Sequence, residues 1–169
     1  MTKDFNIDIS YRQFMVEDGE AEAGYGWDET SSSQGFARSD SSVSFNALVE
    51  WGTATVHAAT EGESLDIVQP ERVIEVSFHV LSGSVFVNGP EEAGIATDEQ
   101  TLALSVGWHR LTVSQRTIRA ISASRPSVPG EIKVWLRFSR EDGFRPSKII
   151  LADSELDPPP VLQEFAGPL

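Results

Sequence analysis

Apolar and polar residues alternate with a period of two along most of this chain. Phe5, Ile7, Ile9 and Tyr11 share one parity while Phe14 and Val16 take the other, which predicts an N-terminal strand with a bulge or bend near Arg12. Val43, Phe45, Ala47, Val49 and Trp51 alternate with Ser44, Asn46, Leu48 and Glu50. The parity then moves to Ala54, Val56 and Ala58 across Gly52, a residue free to turn the backbone. On this reading Trp51 belongs to the core. Ile74, Val76, Phe78 and Val80 form the next run, and Ser82-Gly83 followed by Val85 and Val87 predicts a hairpin. Leu102, Leu104 and Val106 follow, then Trp108, Leu111 and Val113, then Ile132, Val134, Leu136 and Phe138, and last Ile149-Ile150-Leu151. The pattern predicts about eight strands.

No window carries the i, i+3, i+4, i+7 spacing of an amphipathic helix. Residues 21–33, rich in Gly and Ser, predict a long loop with a turn around Trp27. Strands with one polar face and no helices between them predict an all-β fold with little helix: an antiparallel β-sandwich, with barrel-like closure as the variant. Residues 1–156 read as a single β domain and 157–169 as a proline-rich C-terminal tail. Asp157-Pro158-Pro159-Pro160 lacks the N–H donors of a central strand and favours an extended run. The tail has three readings: folded back over the domain, docked on a partner or second copy, or disordered.

The 169 residues are 40% hydrophobic, enough for one globular core. The absence of cysteine removes disulfides, thiolate metal sites and a cysteine nucleophile. No apolar stretch approaches the ~20 residues of a membrane-crossing helix. Met1-Thr2-Lys3-Asp4-Phe5-Asn6 lacks the apolar centre of a signal peptide. The expectation is a cytoplasmic protein without membrane contact.

Charge changes the picture more. Asp and Glu number 26 against 13 Lys and Arg, a formal net charge of −13. The first hundred residues hold nineteen acids and four bases, the remainder seven and nine. A negative field repels phosphate, so nucleic acid is not expected as a direct ligand. Acids are densest at Glu17-Asp18-Gly19-Glu20-Ala21-Glu22, with Asp28 and Glu29 just beyond. Such clusters serve either as solvated loops that keep a β protein dissolved or as a face for a basic protein partner.

Candidate chemistry is sparse. His57, His79 and His109 fall in separate strands without zinc-ligand spacing. The chain has neither the G-x-S-x-G elbow of a serine hydrolase nor a phosphate-binding loop. Glu50 and Glu75 fall on polar strand faces, without the apolar pocket a general acid needs. Asp153-Ser154-Glu155-Leu156-Asp157 resembles half a calcium loop, but without the central glycine and distal glutamate it reads as an acidic exit from the last strand. No catalytic residue, metal or cofactor is expected. Trp135 lies opposite its strand's apolar set, which predicts an exposed indole suited to a protein interface or a sugar.

Several segments together resemble the bacterial competence protein J family. They are Ile9-Ser10-Tyr11-Arg12-Gln13-Phe14, then Trp27, Gly35-Phe36-Ala37 and Val43-Ser44-Phe45 after an acidic loop. Further on come Ser77-Phe78-His79-Val80, Gly107-Trp108-His109-Arg110-Leu111-Thr112 and Lys148-Ile149-Ile150-Leu151-Ala152-Asp153. The likeness spans roughly residues 5–155 and is strongest in the N-terminal segment. It implies a protein that holds a DNA-entry nuclease in check by binding it, and it carries over no catalytic or binding residue. Charge instead nominates Glu17, Asp18, Glu20, Glu22, Trp27, Asp28 and Glu29 as contacts to a basic partner, a nuclease on this reading. The expected function is therefore a non-enzymatic nuclease inhibitor, of competence or immunity type. The alternative is a β-sandwich module that binds a small molecule or carbohydrate near Trp27 or Trp135. The sequence leaves the oligomeric state open.

Overall fold

A computed structural model describes residues 1–22, 26–92 and 97–166. Two β-sheets enclose the core. The strands, in chain order, are β1 (Thr2–Ile9), β2 (Gln13–Asp18), β3 (Phe36–Arg38), β4 (Ser42–Asn46), β5 (Gly52–Ala59), β6 (Arg72–Val80), β7 (Ser84–Asn88), β8 (Thr101–Ala103), β9 (Gly107–Arg119), β10 (Gly130–Arg140) and β11 (Lys148–Leu151). The six-stranded sheet runs β1-β5-β10-β9-β6-β11 and the five-stranded sheet β3-β4-β2-β7-β8, one of them curled into a half-barrel. The all-β expectation holds, with eleven strands among the described residues where about eight were expected from alternation.

The alternating apolar residues meet between the sheets. Phe14, Phe45, Phe78 and Phe138 are at most 1% exposed; Phe14 stacks on Phe45 at 5.5 Å, and Phe78 meets Phe138 edge-on at 6.1 Å. Each such side chain contributes about 1.5–3 kcal/mol on burial.

The breaks in parity are where the chain changes sheet. At the first, the predicted bend near Arg12 is a two-residue turn with Tyr11 and Arg12 both at positive φ (52° and 58°), closed by Gln13 N–H donating to the Ser10 carbonyl. It passes the chain from β1 in one sheet to β2 in the other, so Tyr11 points outward at 75% exposure instead of extending the apolar face. Ser82-Gly83 likewise joins β6 to β7 across the two sheets, which corrects the hairpin expectation. Gly52 marks a third change. Its φ is 141°, and a Cβ there would lie 1.9 Å from the Gly130 carbonyl oxygen. Only glycine allows that approach, which aligns β5 with β10 in parallel, the one non-antiparallel pairing among the described strands. Trp51, just before it, is 38% exposed and outside the core, which corrects the core expectation, although Ala47 and Val49 of the same parity are buried.

The region expected as a loop from 21 to 33 contains a short helix, α1 (Glu29–Gln34). Asp28 caps it by accepting from the Ser31 N–H at 2.8 Å, and Gly35 ends it in the left-handed conformation. Six residues are too few to show a helical period, so only the caps were there to be read. Residues 23–25 of this acidic stretch, and 167–169 of the tail, lie outside the described residues.

Candidate functional site

The structure places the seven nominated residues in different settings. Glu17 lies in β2, half-buried, and accepts from the Ser42 hydroxyl at 3.2 Å. Asp18 is 3% exposed, and its carboxylate accepts from the backbone N–H groups of Leu81 (2.8 Å), Ser82 (3.1 Å) and Glu20 (2.9 Å). With its oxygens so engaged it supports the neighbouring loops. Trp27 is half-buried, and its indole N–H donates to the Ser32 hydroxyl at 2.7 Å. Asp28 is engaged as the helix cap; the Ser31 N–H and then its hydroxyl hold the carboxyl below its ordinary pKa. Glu29 is exposed on the first turn of α1, beside a second, smaller hollow. Glu20 and Glu22 are exposed, and neither has an ion-pair partner among the described residues.

Those two glutamates line a groove of roughly 420 Å³ with Ser39, Asp40, Ser41, His79, Leu81 and Phe165. Three turns build it. The segment after β2 is fixed by Asp18, and the β3–β4 turn is closed by Ser39 N–H donating to the Ser42 carbonyl at 2.9 Å. The β6–β7 turn is held by the Asp18 carboxylate, and His79 N–H donates to the Asp40 carbonyl at 2.7 Å, tying the two sheets together there. The fourth side is the C-terminal segment. Sequence charge found Glu20 and Glu22, whereas Asp40, His79, Leu81 and Phe165 arrive from distant parts of the chain.

That C-terminal segment folds back over the domain as far as it is described. Asp157 N–H donates to the Ser33 carbonyl, Gln163 and Gln34 exchange reciprocal hydrogen bonds of 2.9 and 3.0 Å, and Ala166 N–H donates to the Arg38 carbonyl. Glu164 accepts from the N–H and hydroxyl of Ser147 at 2.6 and 2.7 Å. Beneath it Arg38 is 1% exposed, donates to the carbonyls of Ser77 and Glu164, and lies 5.4 Å from the ring centres of both Phe144 and Phe165. Burial pushes its pKa down, with Glu164 and then Asp40 opposing. The rings of Phe144 and Phe165 stack at 6.0 Å, and Phe144 meets Trp108, which itself stacks on His79 at 4.6 Å.

Other titratable clusters hold the fold together. The Arg72 guanidinium donates twice to Asp153 (2.7 and 3.0 Å) and once to the Asn46 carbonyl, and Glu155 bridges from Arg72 to Arg12. Burial raises the Asp153 carboxyl, but the hydrogen bonds and charge of Arg72 outweigh it, leaving the pKa below its ordinary value. Glu61 Oε1 accepts from the N–H and hydroxyl of Ser105 and lies 3.0 Å from His109 Nε2; the His109 bond and then those of Ser105 draw its pKa down to about 2. Serine and histidine meet on the carboxylate here and not on each other, so the set does not form a nucleophile–base pair. Among the described residues no three His, Asp or Glu side chains converge as metal ligands.

Trp135 corrects an expectation. It is 4% exposed although it faces away from the main core. His57 of β5 stacks on it at 6.0 Å, and the return connection from β5 to the parallel-running β6 crosses this side of the sheet, where Arg116 donates to the Val68 carbonyl. The aromatic platform expected for a sugar is therefore closed at Trp135.

The architecture is that of a two-sheet β protein whose surface carboxylates and aromatics meet in an open groove, a form suited to contact with another macromolecule. The chain belongs to the competence protein J (ComJ) family, whose profile matches residues 6–139. Among solved structures it is similar to ComJ of Bacillus subtilis, an inhibitor of the DNA-degrading activity of NucA, with a TM-score of 0.55 and 20% identity over 80% of this chain and 94% of that one. It also aligns with the product of crocagin biosynthetic gene J, at 12% identity and a TM-score of 0.46 over 80% of this chain and 96% of the other. No match is found among curated proteins.

Proposed function

We propose that this protein is a non-enzymatic inhibitor that binds a partner nuclease and blocks its action on DNA. Membership of the ComJ family over residues 6–139 carries the reading, since the Bacillus subtilis member inhibits NucA. The charge distribution supports it. A nuclease must offer DNA a positive cleft, and a chain of net charge −13 with glutamates beside an open groove that have no ion-pair partner among the described residues is complementary to such a cleft. The expected contacts are Glu20, Glu22 and Asp40, with Glu29 at the periphery; Asp18 and Asp28 act as supports.

The test is an inhibition assay with the recombinant NucA-type nuclease of the same organism. Stoichiometric protein is expected to suppress DNA degradation, and raising the salt from about 50 to 500 mM is expected to weaken the complex, since exposed charges are screened beyond a few ångströms at the higher value. Unchanged DNA degradation and no co-elution at low salt would sink the proposal.

A further inference from the structure

The family match ends at residue 139, yet the groove is completed by a segment after it. The return from Asp157 to Ala166 is not loosely laid. Leu156 is 8% exposed and part of the core cluster, Leu162 packs against that cluster, and backbone bonds to Ser33, Gln34 and Arg38 fix the path. The strap's Phe165 is nonetheless 55% exposed, stacked on Phe144 of the β10–β11 connection (41%) and sharing the groove with Leu81 of the β6–β7 turn (38%). The two rings lie over the buried Arg38. A rigid apolar wall left uncovered, with carboxylates on its rim, has the make-up of a binding surface.

The rim says what would cover it. Glu20 and Glu22 have no cationic partner among the described residues, and Asp40 has only Arg38, at 3.9 Å. Lys and Arg side chains suit such a place: the stem lies on apolar and aromatic surface while the charged head reaches carboxylates.

We propose that the C-terminal strap, through Phe165, makes this groove the docking site for a segment of the nuclease partner that presents a lysine or arginine beside an apolar side chain. The proposal rests on the inhibitor reading above. Phe165 is the apolar anchor, Glu20, Glu22 and Asp40 receive the cation, and Arg38 holds the strap that carries the anchor.

The experiment measures association and dissociation rates of the full chain on the immobilised NucA-type nuclease of the same organism. Phe165→Ala is expected to weaken binding at least about tenfold, mainly through faster dissociation, as loss of an interface anchor does. Phe165→Trp, which keeps an aromatic wall, should retain binding and so separates a lost contact from a lost fold. Glu20→Gln with Glu22→Gln should slow association and flatten its salt dependence. Ile150→Ala, at an exposed apolar position on β11 away from the groove, should bind as the parent does. Parent-like binding by Phe165→Ala would overturn the groove assignment while leaving the inhibitor reading intact. A parent chain that neither binds nor inhibits the nuclease would overturn both.

Discussion

Arg72 and Arg38 are each 1% exposed, but they are held in different ways. Arg72 faces a carboxylate squarely: Asp153 receives two of its N–H groups at 2.7 and 3.0 Å, and the Asn46 carbonyl receives a third. Among the described residues Arg38 has only distant carboxylates, Glu164 at 3.5 Å and Asp40 at 3.9 Å, its other partners are carbonyls and two phenyl faces, and its Nε finds no acceptor. A buried guanidinium with a bidentate carboxylate fixes one geometry. One that rests on aromatic faces and carbonyls holds a surface together while leaving that surface's carboxylates free. The first arginine closes the fold where the chain leaves β11, and the second underlies the groove.

Removing the carboxylate from each arginine should break this comparison most sharply. Asp153→Ala removes the bidentate partner of the buried Arg72 and leaves it only the half-exposed Glu155 at 3.5 Å, with an expected loss of about 3–5 kcal/mol. Glu164→Ala should cost less, about 1–3 kcal/mol, because Arg38 keeps its carbonyl and aromatic partners and the main loss is the acceptor of the Ser147 N–H and hydroxyl. Urea unfolding of both variants measures the difference. Equal losses would show that Arg38 depends on its ion pair as Arg72 does, and that the aromatic faces contribute little.

Asp18 extends the comparison to a carboxylate held by neutral donors. Asp18→Ala leaves the N–H groups of Leu81, Ser82 and Glu20 without their acceptor, with an expected loss of about 2–3 kcal/mol. Glu20→Ala, two residues on, should leave the unfolding midpoint unchanged. A stable Asp18→Ala variant would place the carboxylate among the free acids of the rim instead of beneath it.

That pair also marks how far the sequence could be read. Alternation located the core strands because each buries one face, and Phe14, Val16, Val43, Phe45, Val76 and Phe78 all lie where their parity puts them. It failed where the chain changes sheets, at Tyr11, Trp51 and Ser82-Gly83, since a parity break looks the same whether the strand bends, turns back or crosses over. Trp135 faces the polar side and is buried all the same, stacked on His57 of the neighbouring strand, a contact between residues 78 apart that no local pattern encodes. Charge density found Glu20 and Glu22 but could not distinguish them from Asp18, because burial of a carboxylate depends on which amides the fold brings to it. Phe165 and Asp40 lie more than a hundred residues apart and meet only because Gln34 and Arg38 tie down the strap.

The more exposed carboxylate to set beside Asp153 is Glu61, whose side chain is 40% exposed. His109 and then Ser105 lower its carboxyl from 4.5 to about 2 in the folded protein. Between those values the unfolded chain binds the proton and the folded chain does not. The stabilisation from Glu61 is therefore complete above about 4.5, declines as the pH falls, and is gone near 2. Asp153, also lowered, adds to the same acid-side loss and from a more buried position. Glu61→Gln should flatten the fall in urea midpoint between pH 4.5 and 2 only slightly, because solvent screens an exposed pair, and should leave stability at neutral pH close to the parent's. Asp153→Asn should flatten the same acid-side fall, since Arg72 holds that carboxyl below its ordinary value. If neither variant flattens the fall, neither the His109 and Ser105 contacts of Glu61 nor the Arg72 fork on Asp153 holds its carboxylate in solution, and the anchoring of Arg72 by Asp153 fails with them.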